Sequence, residues 1–274
     1  AQAPVCSRMS MRQSTLTFSR RHGIVGAFYG VELPEKEASE HKEALTCAPV
    51  TPGYDSETFE AYYEADRKLW TPRFYGMSHW GSGADACVDA DKMEAKMVAT
   101  LTPVQEAAVA SATESLSKPG SRGAILVLPC GFGKTVAAIA VMSMLQVKCL
   151  VLVHKTFLLS QWKERLQTFL PSAKIGVVQQ NTVKVEGMDV VIGMLQSIST
   201  RRYPENTFSG FGLLVVDEAH HISAPVFSRS MRELPIRKVL GLTATPERRD
   251  GMTRLMHYCL GEIVYRAERA HSDL

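Results

Sequence analysis

Three short segments place polar residues where they could act on a phosphate. The first is LPCGFGKT, Leu128 to Thr135, which follows the apolar run AILVL and leads into KTVAAIAVMSML. Gly131 and Gly133, with Phe132 between them, free the backbone to curl so that successive N–H groups point at phosphate oxygens. Lys134 can meet the β and γ phosphates, and the Thr135 hydroxyl can ligate Mg²⁺. A helix starting here adds the positive end of its dipole. The general pattern asks for Gly where this chain has Leu128, so the match is incomplete. A Gly-rich turn with a surface Lys is the plainer alternative, but the setting between a buried strand and a helix favours phosphate.

The second segment is GLLVVDEAHH. After an apolar strand, Asp217 can hold Mg²⁺ through water, and Glu218 can orient and deprotonate an attacking water. Adjacent carboxylates repel, so the pair makes sense beside a cation. Favourable acids at a helix start would explain Asp217 and Glu218 but not the apolar strand before them. His220 and His221 do not read as a metal pair, because neighbouring side chains point in different directions; His221 is taken as packing. The third segment, GLTATPERRDG, puts the hydroxyls of Thr243 and Thr245 at the end of KVLGL, next to the acids if the two strands are neighbours. Upstream, Gln105 of LTPVQ offers an amide donor and acceptor to an adenine edge. Thr102 to Gln105 also spells a capping box with Pro at the first helical position, so both roles require a shared side chain.

From about Met93 onward, apolar β-rich runs alternate with amphipathic stretches. The runs are AILVL, CLVLVH, KIGVVQ, DVVIGM, GLLVVD, KVLGLTAT and EIVYRA, and FLLSQWKERLQTFL is one of the helical stretches between them. Strands apolar throughout and spaced by helices indicate a mostly parallel sheet covered on both faces, an α/β fold. The polar residues follow AILVL, GLLVV and KVLGL directly, at the carboxyl ends where such folds bind ligands.

Residues 1 to about 100 have a different texture, with short apolar stretches, the acidic patch ELPEKEASEHKE and the aromatic patch KLWTPRFYGMSHWG. No long helical period is visible before about Ser56–Leu69, and a small mixed α/β domain is expected. Trp70, Phe74 and Tyr75, set among Lys68 and Arg73, could stack bases or form that domain's core; the core reading is favoured. The first 31 residues hold Arg8, Arg12, Arg20 and Arg21 and no acid, which resembles a transit peptide. LTFSRRHGIVGAFYGVEL also reads as strands and turns, and that reading is favoured.

At 274 residues the chain has room for one large domain or two ordinary ones. A net charge of +3 permits nucleic-acid contact without arguing for it. The six cysteines include no CxxC pair, which argues against zinc or a disulfide framework and suits a reducing intracellular compartment. No apolar run approaches the roughly 18 to 20 residues of a membrane helix.

Taken in order, the Gln, GKT, DEAH and TAT segments resemble the first motor domain of superfamily 2 helicases of the DEAD/DEAH-box-like kind. LPCGFGKT, VHKTFLLSQWKERL, VVIGMLQSIS, VVDEAHHISAPVFS and GLTATPERRDG are similar to the branch named for the xeroderma pigmentosum group B helicase, including its large-DNA-virus and phage relatives. The resemblance covers about Leu101 to Leu274. It implies a RecA-like P-loop domain over residues 93–274, preceded by an accessory domain over 1–92. ATP and Mg²⁺ would be held by Gln105, Gly131, Phe132, Gly133, Lys134, Thr135 and Asp217, with Glu218 as catalytic base.

By the same resemblance, His220, Thr243 and Thr245 would couple hydrolysis to movement. Lys155, Thr156, Gln196 and Ser197 would touch nucleic acid, or stand as solvated loop residues. The implied partner is DNA, single- or double-stranded, at its site of replication or transcription or in a nucleus. A second RecA-like domain, from the same gene or a partner chain, would supply arginine fingers, leaving the isolated chain nearly inactive. An RNA helicase, or an ATP-regulated nucleic-acid-binding module without motor activity, are the alternatives. Two departures stand out: Thr102 replaces a common Arg, and Arg248-Arg249-Asp250 replaces Arg-Glu-Asp.

Overall fold

The computed structural model of the chain describes residues 22–48, 58–85, 89–118, 120, 122–204, 206–221, 224–232, 234–247 and 253–268. The earliest of these form β1 (His22–Val25) and β2 (Phe28–Val31), an antiparallel hairpin turning at Gly26, whose φ of 55° suits glycine. Strands are therefore found where HGIVGAFYGV suggested them; residues 1–21 lie outside the described part. Helix α1 (Glu35–Leu45) follows, then the two-stranded ladder of β3 (Thr46–Cys47) and β4 (Phe59–Glu60). β5 (Tyr63–Ala65), β6 (Lys68–Pro72), α2 (Arg73–Trp80) and β7 (Ala84–Asp85) complete this region. Its five-stranded sheet runs β5-β6-β2-β1-β7.

Two expectations are corrected here. A helix stands in the acidic patch, where no helical period was visible, because α1 buries only Ala38 and Leu45 and so carries no apolar stripe. Of the stretch around Ser56–Leu69, residues 58–69 are described, and they are not helical. Asp66 and Arg67 adopt φ of 52° and 60° and make the two-residue turn between β5 and β6, a conformation no helix can pass through. The aromatic patch is core: Trp70 and Tyr75 are buried, and Trp70 stacks on Tyr63 with ring centroids 5.8 Å apart. Lys68 and Arg73 are buried with the rings rather than presented to solvent.

The rest of the chain lays down α3 (Pro103–Ser117), β8 (Gly123–Val127), α4 (Lys134–Leu145), β9 (Cys149–Val153), α5 (Thr156–Phe169), β10 (Ile175–Gln179), β11 (Thr182–Lys184), β12 (Val190–Met194) and α6 (Leu195–Thr200). β13 (Leu213–Val216), a short 3-10 turn (Ala219–His221), α7 (Ala224–Arg232), β14 (Lys238–Thr243), α8 (Thr253–Leu260) and β15 (Ile263–Arg266) follow. The sheet order is β11-β10-β12-β9-β13-β14-β8-β15, parallel throughout except at β11. Burial on both faces explains why these strands are apolar without alternation. Ala124, Leu126, Val151 and Val153 pack with Ala108, Ile139 and Trp162 of α3, α4 and α5. Ile125, Val127, Leu150 and Leu152 face the other way, toward Leu255 and Leu260 of α8.

That second face is shared. Phe28, Tyr29 and Trp70 of the smaller sheet belong to the same buried cluster as Ile125 and Leu150. Approach is close enough that a Cβ on Gly123 would meet Phe74 and the Leu260 carbonyl, and one on Gly26 the Leu234 carbonyl. The Arg73 guanidinium donates to the carbonyls of Gly26, Arg122 and Arg237, all within 3.2 Å, and so joins three separate chain segments. Arg73→Met keeps the bulk but takes the guanidinium's three bonds away at once; the Arg122 carbonyl still holds the Val239 N–H. The expected cost is about 2–3 kcal/mol, a fall in Tm of about 4–12 °C at this chain length. A calorimetric melting temperature within about 2 °C of the parent would refute the clamp.

Candidate active site

Three adjacent strands, β8, β14 and β13, end side by side, so neighbourhood in the sheet joins segments far apart in sequence. Leu128 continues β8 by one residue, its N–H bonded to the Thr243 carbonyl and its side chain fully buried. This is why leucine stands where the general phosphate-loop pattern has glycine: the position belongs to the core. Beyond it the loop turns, with the Phe132 N–H on the Pro129 carbonyl. Gly131 has φ 90° and open space where a Cβ would be; Gly133 has φ 78° and forms the N-cap of α4. No side chain caps α4, so its first N–H groups are left for an anion to satisfy.

Lys134 opens α4 and reaches across to β13, placing Nζ 3.3 Å from Glu218 Oε1. Thr135, next on the helix, is half-buried at the same end. Glu218 sits at φ 48°, a left-handed conformation that turns the chain sharply off the strand. Its other carboxylate oxygen lies 3.5 Å from His220 Nδ1, which lies 2.8 Å from Thr243 Oγ1. The Thr243 hydroxyl also stands 2.8 Å from the Thr245 carbonyl. It has one proton to give, so when that goes to Thr245 the imidazole must donate from Nδ1. An unbroken chain of polar contacts thus runs from Lys134 through Glu218 and His220 to Thr243. His221's side chain and Arg248, Arg249 and Asp250 lie outside the described residues.

Asp217 is buried, and burial pushes its carboxyl above the usual carboxylate range. Two donors oppose that shift: Trp162 Nε1 on Oδ2 at 2.7 Å and the Glu218 N–H on Oδ1 at 3.0 Å. A buried carboxylate next to a second acid and a lysine, beside an uncapped helix start with a glycine cradle, is a donor set suited to a phosphate with a divalent cation. Gly131, Phe132, Gly133 and Lys134 would hold the phosphates, and Thr135 and Asp217 the ion.

Gln105 is committed twice. Its Oε1 accepts the Thr102 N–H at 3.0 Å, closing the capping box, and its Nε2 donates to the Phe132 carbonyl at 3.1 Å. The side chain therefore braces the phosphate loop from α3, and adenine would have to share it.

The expected nucleic-acid residues fall at the same sheet edge but further along, after β9 and β12. Lys155, Thr156 and Gln196 are exposed. Ser197 is turned inward: its Oγ accepts the Gln180 N–H at 2.9 Å, so the hydroxyl shapes the neighbouring loop instead of facing out. Trp162 was not foreseen as part of the site. The signal available was a tryptophan inside an amphipathic helix, whose indole N–H needs an acceptor when buried.

The family described as type III restriction enzyme, res subunit, matches residues 99–248. The chain belongs to this helicase family. The match spans Gln105, the phosphate loop, the DEAH segment and the TAT segment. Among curated relatives, a putative ATP-dependent RNA helicase of Acanthamoeba polyphaga mimivirus is 28% identical over 88% of this chain and 48% of its own length. The DNA 3'-5' translocase XPB2 of Sulfurisphaera tokodaii is 37% identical over 52% of this chain and 31% of its own. The chain thus spans half or less of these helicase relatives' lengths. The UvsW helicase of bacteriophage T4 aligns with a TM-score of 0.63 over 90% of this chain and all of that one. At 16% identity, that is a likeness of fold. The family's ATP-binding helicase domain is therefore present, on a mixed α/β fold with a mostly parallel sheet.

Proposed function

We propose that the chain is the ATP-binding half of a DNA helicase or translocase, using ATP with Mg²⁺ to drive movement on DNA in repair or transcription. The observation that carries this is the contact chain at the ends of β8, β13 and β14, where Lys134, Glu218, His220 and Thr243 meet. Gly131, Gly133 and Lys134 bind the phosphates, and Thr135 and Asp217 hold the ion. Glu218 takes the proton of the attacking water, and its left-handed backbone aims the carboxylate off the strand end. His220 and Thr243 pass the change at Glu218 toward Thr245 and the edge carrying Lys155, Thr156 and Gln196. Residues 1–92 act as an accessory unit, and a second motor domain closes over the nucleotide. DNA is favoured over RNA because the DNA translocase relative is 37% identical over 142 residues, against 33% over 143 and 28% over 256 for putative RNA helicases.

Affinity for duplex DNA, single-stranded DNA and RNA of matched sequence, measured with and without a non-hydrolysable ATP analogue and Mg²⁺, tests this. DNA should bind more tightly than RNA, and the nucleotide should change that affinity by about fivefold or more. Tighter RNA binding would turn the assignment to an RNA helicase. Nucleic-acid binding indifferent to nucleotide would leave a binding module without a motor.

A further inference from the structure

Trp162 lies two turns into α5, on the face packed against the sheet, and is 1% exposed. Its indole can only donate, so burial requires an acceptor. The acceptor is Oδ2 of Asp217, at 2.7 Å, a charge-assisted bond across 55 residues of sequence. The Glu218 N–H holds the other oxygen at 3.0 Å. With one donor on each oxygen, rotation about the Asp217 side chain is blocked, and the lone pairs left over point in fixed directions.

The same helix begins at the other candidate surface. Its N-cap is Lys155 and its first residue Thr156, both exposed at the end of β9. From Thr156 to Trp162 is six residues, roughly 9 Å of helix axis. Leu158, Leu159 and Leu166 anchor that span in the core, so it moves as a rigid piece. A push at the first turn is therefore felt at the Asp217 carboxylate through one hydrogen bond.

We propose that Trp162 is a positioning residue that orients Asp217 for the metal-bound nucleotide, and that α5 thereby links the nucleic-acid edge to the nucleotide site. This rests on the ATP-binding assignment above. It adds a second connection beside the His220–Thr243 contact, one that runs through the helix following β9.

Trp162→Phe keeps an aromatic side chain but removes the indole N–H, along with part of the ring volume. Titration calorimetry with ADP on the 274-residue chain, once with Mg²⁺ and once with a chelator, reads the effect. The Mg²⁺-dependent affinity should fall about tenfold, the size of one hydrogen bond to a charged group, while the metal-free affinity stays put. In the Asp217→Asn background the same substitution should change neither value. The nucleotide's effect on single-stranded DNA affinity should shrink toward none, with DNA affinity in the absence of nucleotide preserved.

Parent protein that fails to bind ADP would sink the ATP-binding assignment itself. A parent that binds, with Trp162→Phe binding equally well, would overturn the positioning role. Equal losses with and without Mg²⁺ would make Trp162 a packing residue only, as would a further loss in the Asp217→Asn background. If Trp162→Phe melts before the assay temperature, Trp162→His restores a ring N–H donor: recovery of Mg²⁺-dependent binding supports the proposal, and none refutes it.

Discussion

In the complete protein, Glu218→Gln is expected to cut ATP turnover by at least about a hundredfold, the contribution of a positioned general base, while ATP and Mg²⁺ still bind. The amide keeps the size of the carboxylate and its place off the left-handed turn after β13, but cannot take a proton. The contact with Lys134 weakens, so a small gain or loss in nucleotide affinity is tolerable; loss of the chemical step is the point. Asp217→Asn should behave differently. It removes the buried charge proposed to hold the ion, so Mg²⁺-dependent nucleotide affinity should fall before turnover is reached. The single amide oxygen can then serve only one of the two donors, the Trp162 indole N–H or the Glu218 N–H, while the side chain keeps its size. Single-turnover hydrolysis beside binding titrations separates the two. Equal and small effects from both substitutions would mean that these acids merely decorate a turn.

Lys134→Ala should have the next largest effect. Its ammonium is the one side-chain cation of LPCGFGKT, and the side chain is only 10% exposed, held between the phosphate loop and Glu218. Charge-assisted contacts to phosphate oxygens made by such a group are worth about 2–3 kcal/mol. Nucleotide affinity should therefore drop about 30- to 150-fold. The fold should survive, because α4 is fixed by buried Ala137, Ala138, Ile139 and Val141 further along. Calorimetry with ADP, together with an unchanged circular dichroism spectrum, checks this. Lys134→Arg is not a neutral control, since a planar fork replaces a point charge inside a tight loop. Undiminished affinity in Lys134→Ala would remove the phosphate-loop assignment.

Much of the site was legible because it follows strands that are apolar throughout. AILVL, GLLVV and KVLGL are readable as buried parallel strands, and the residues after them must then emerge at one edge. What strand periodicity does not encode is order across the sheet. That β14 lies between β8 and β13, so that Thr243 reaches His220, is a fact of pairing. Side-chain direction was equally hidden: Ser197 follows β12 as Thr156 follows β9, yet it points inward to the Gln180 amide. Helix α1 left no trace because its faces are nearly all solvated, and the β5–β6 hairpin left little because its turn uses Asp66 and Arg67 rather than Asn-Gly. Nothing in the sequence marks Arg73 for burial, since arginines are mostly exposed; the three carbonyls around it explain its place.

The cluster that Phe28, Tyr29 and Trp70 share with Ile125 and Leu150 has a practical side. The part of the chain that carries the family's recognisable motifs, residues 99–248, is not the part that keeps itself dry. Cut down to that segment, the parallel sheet would keep its phosphate loop, both acids and the cover that Ile198 and Met231 give one end of this face, but lose the part covered by α8 and the smaller sheet, together with the Arg73 clamp. A newly exposed apolar patch of that kind invites self-association. The minimal helicase domain by motif and the minimal one by buried surface are therefore different pieces of the chain, and the smaller sheet belongs to the second whatever else it does.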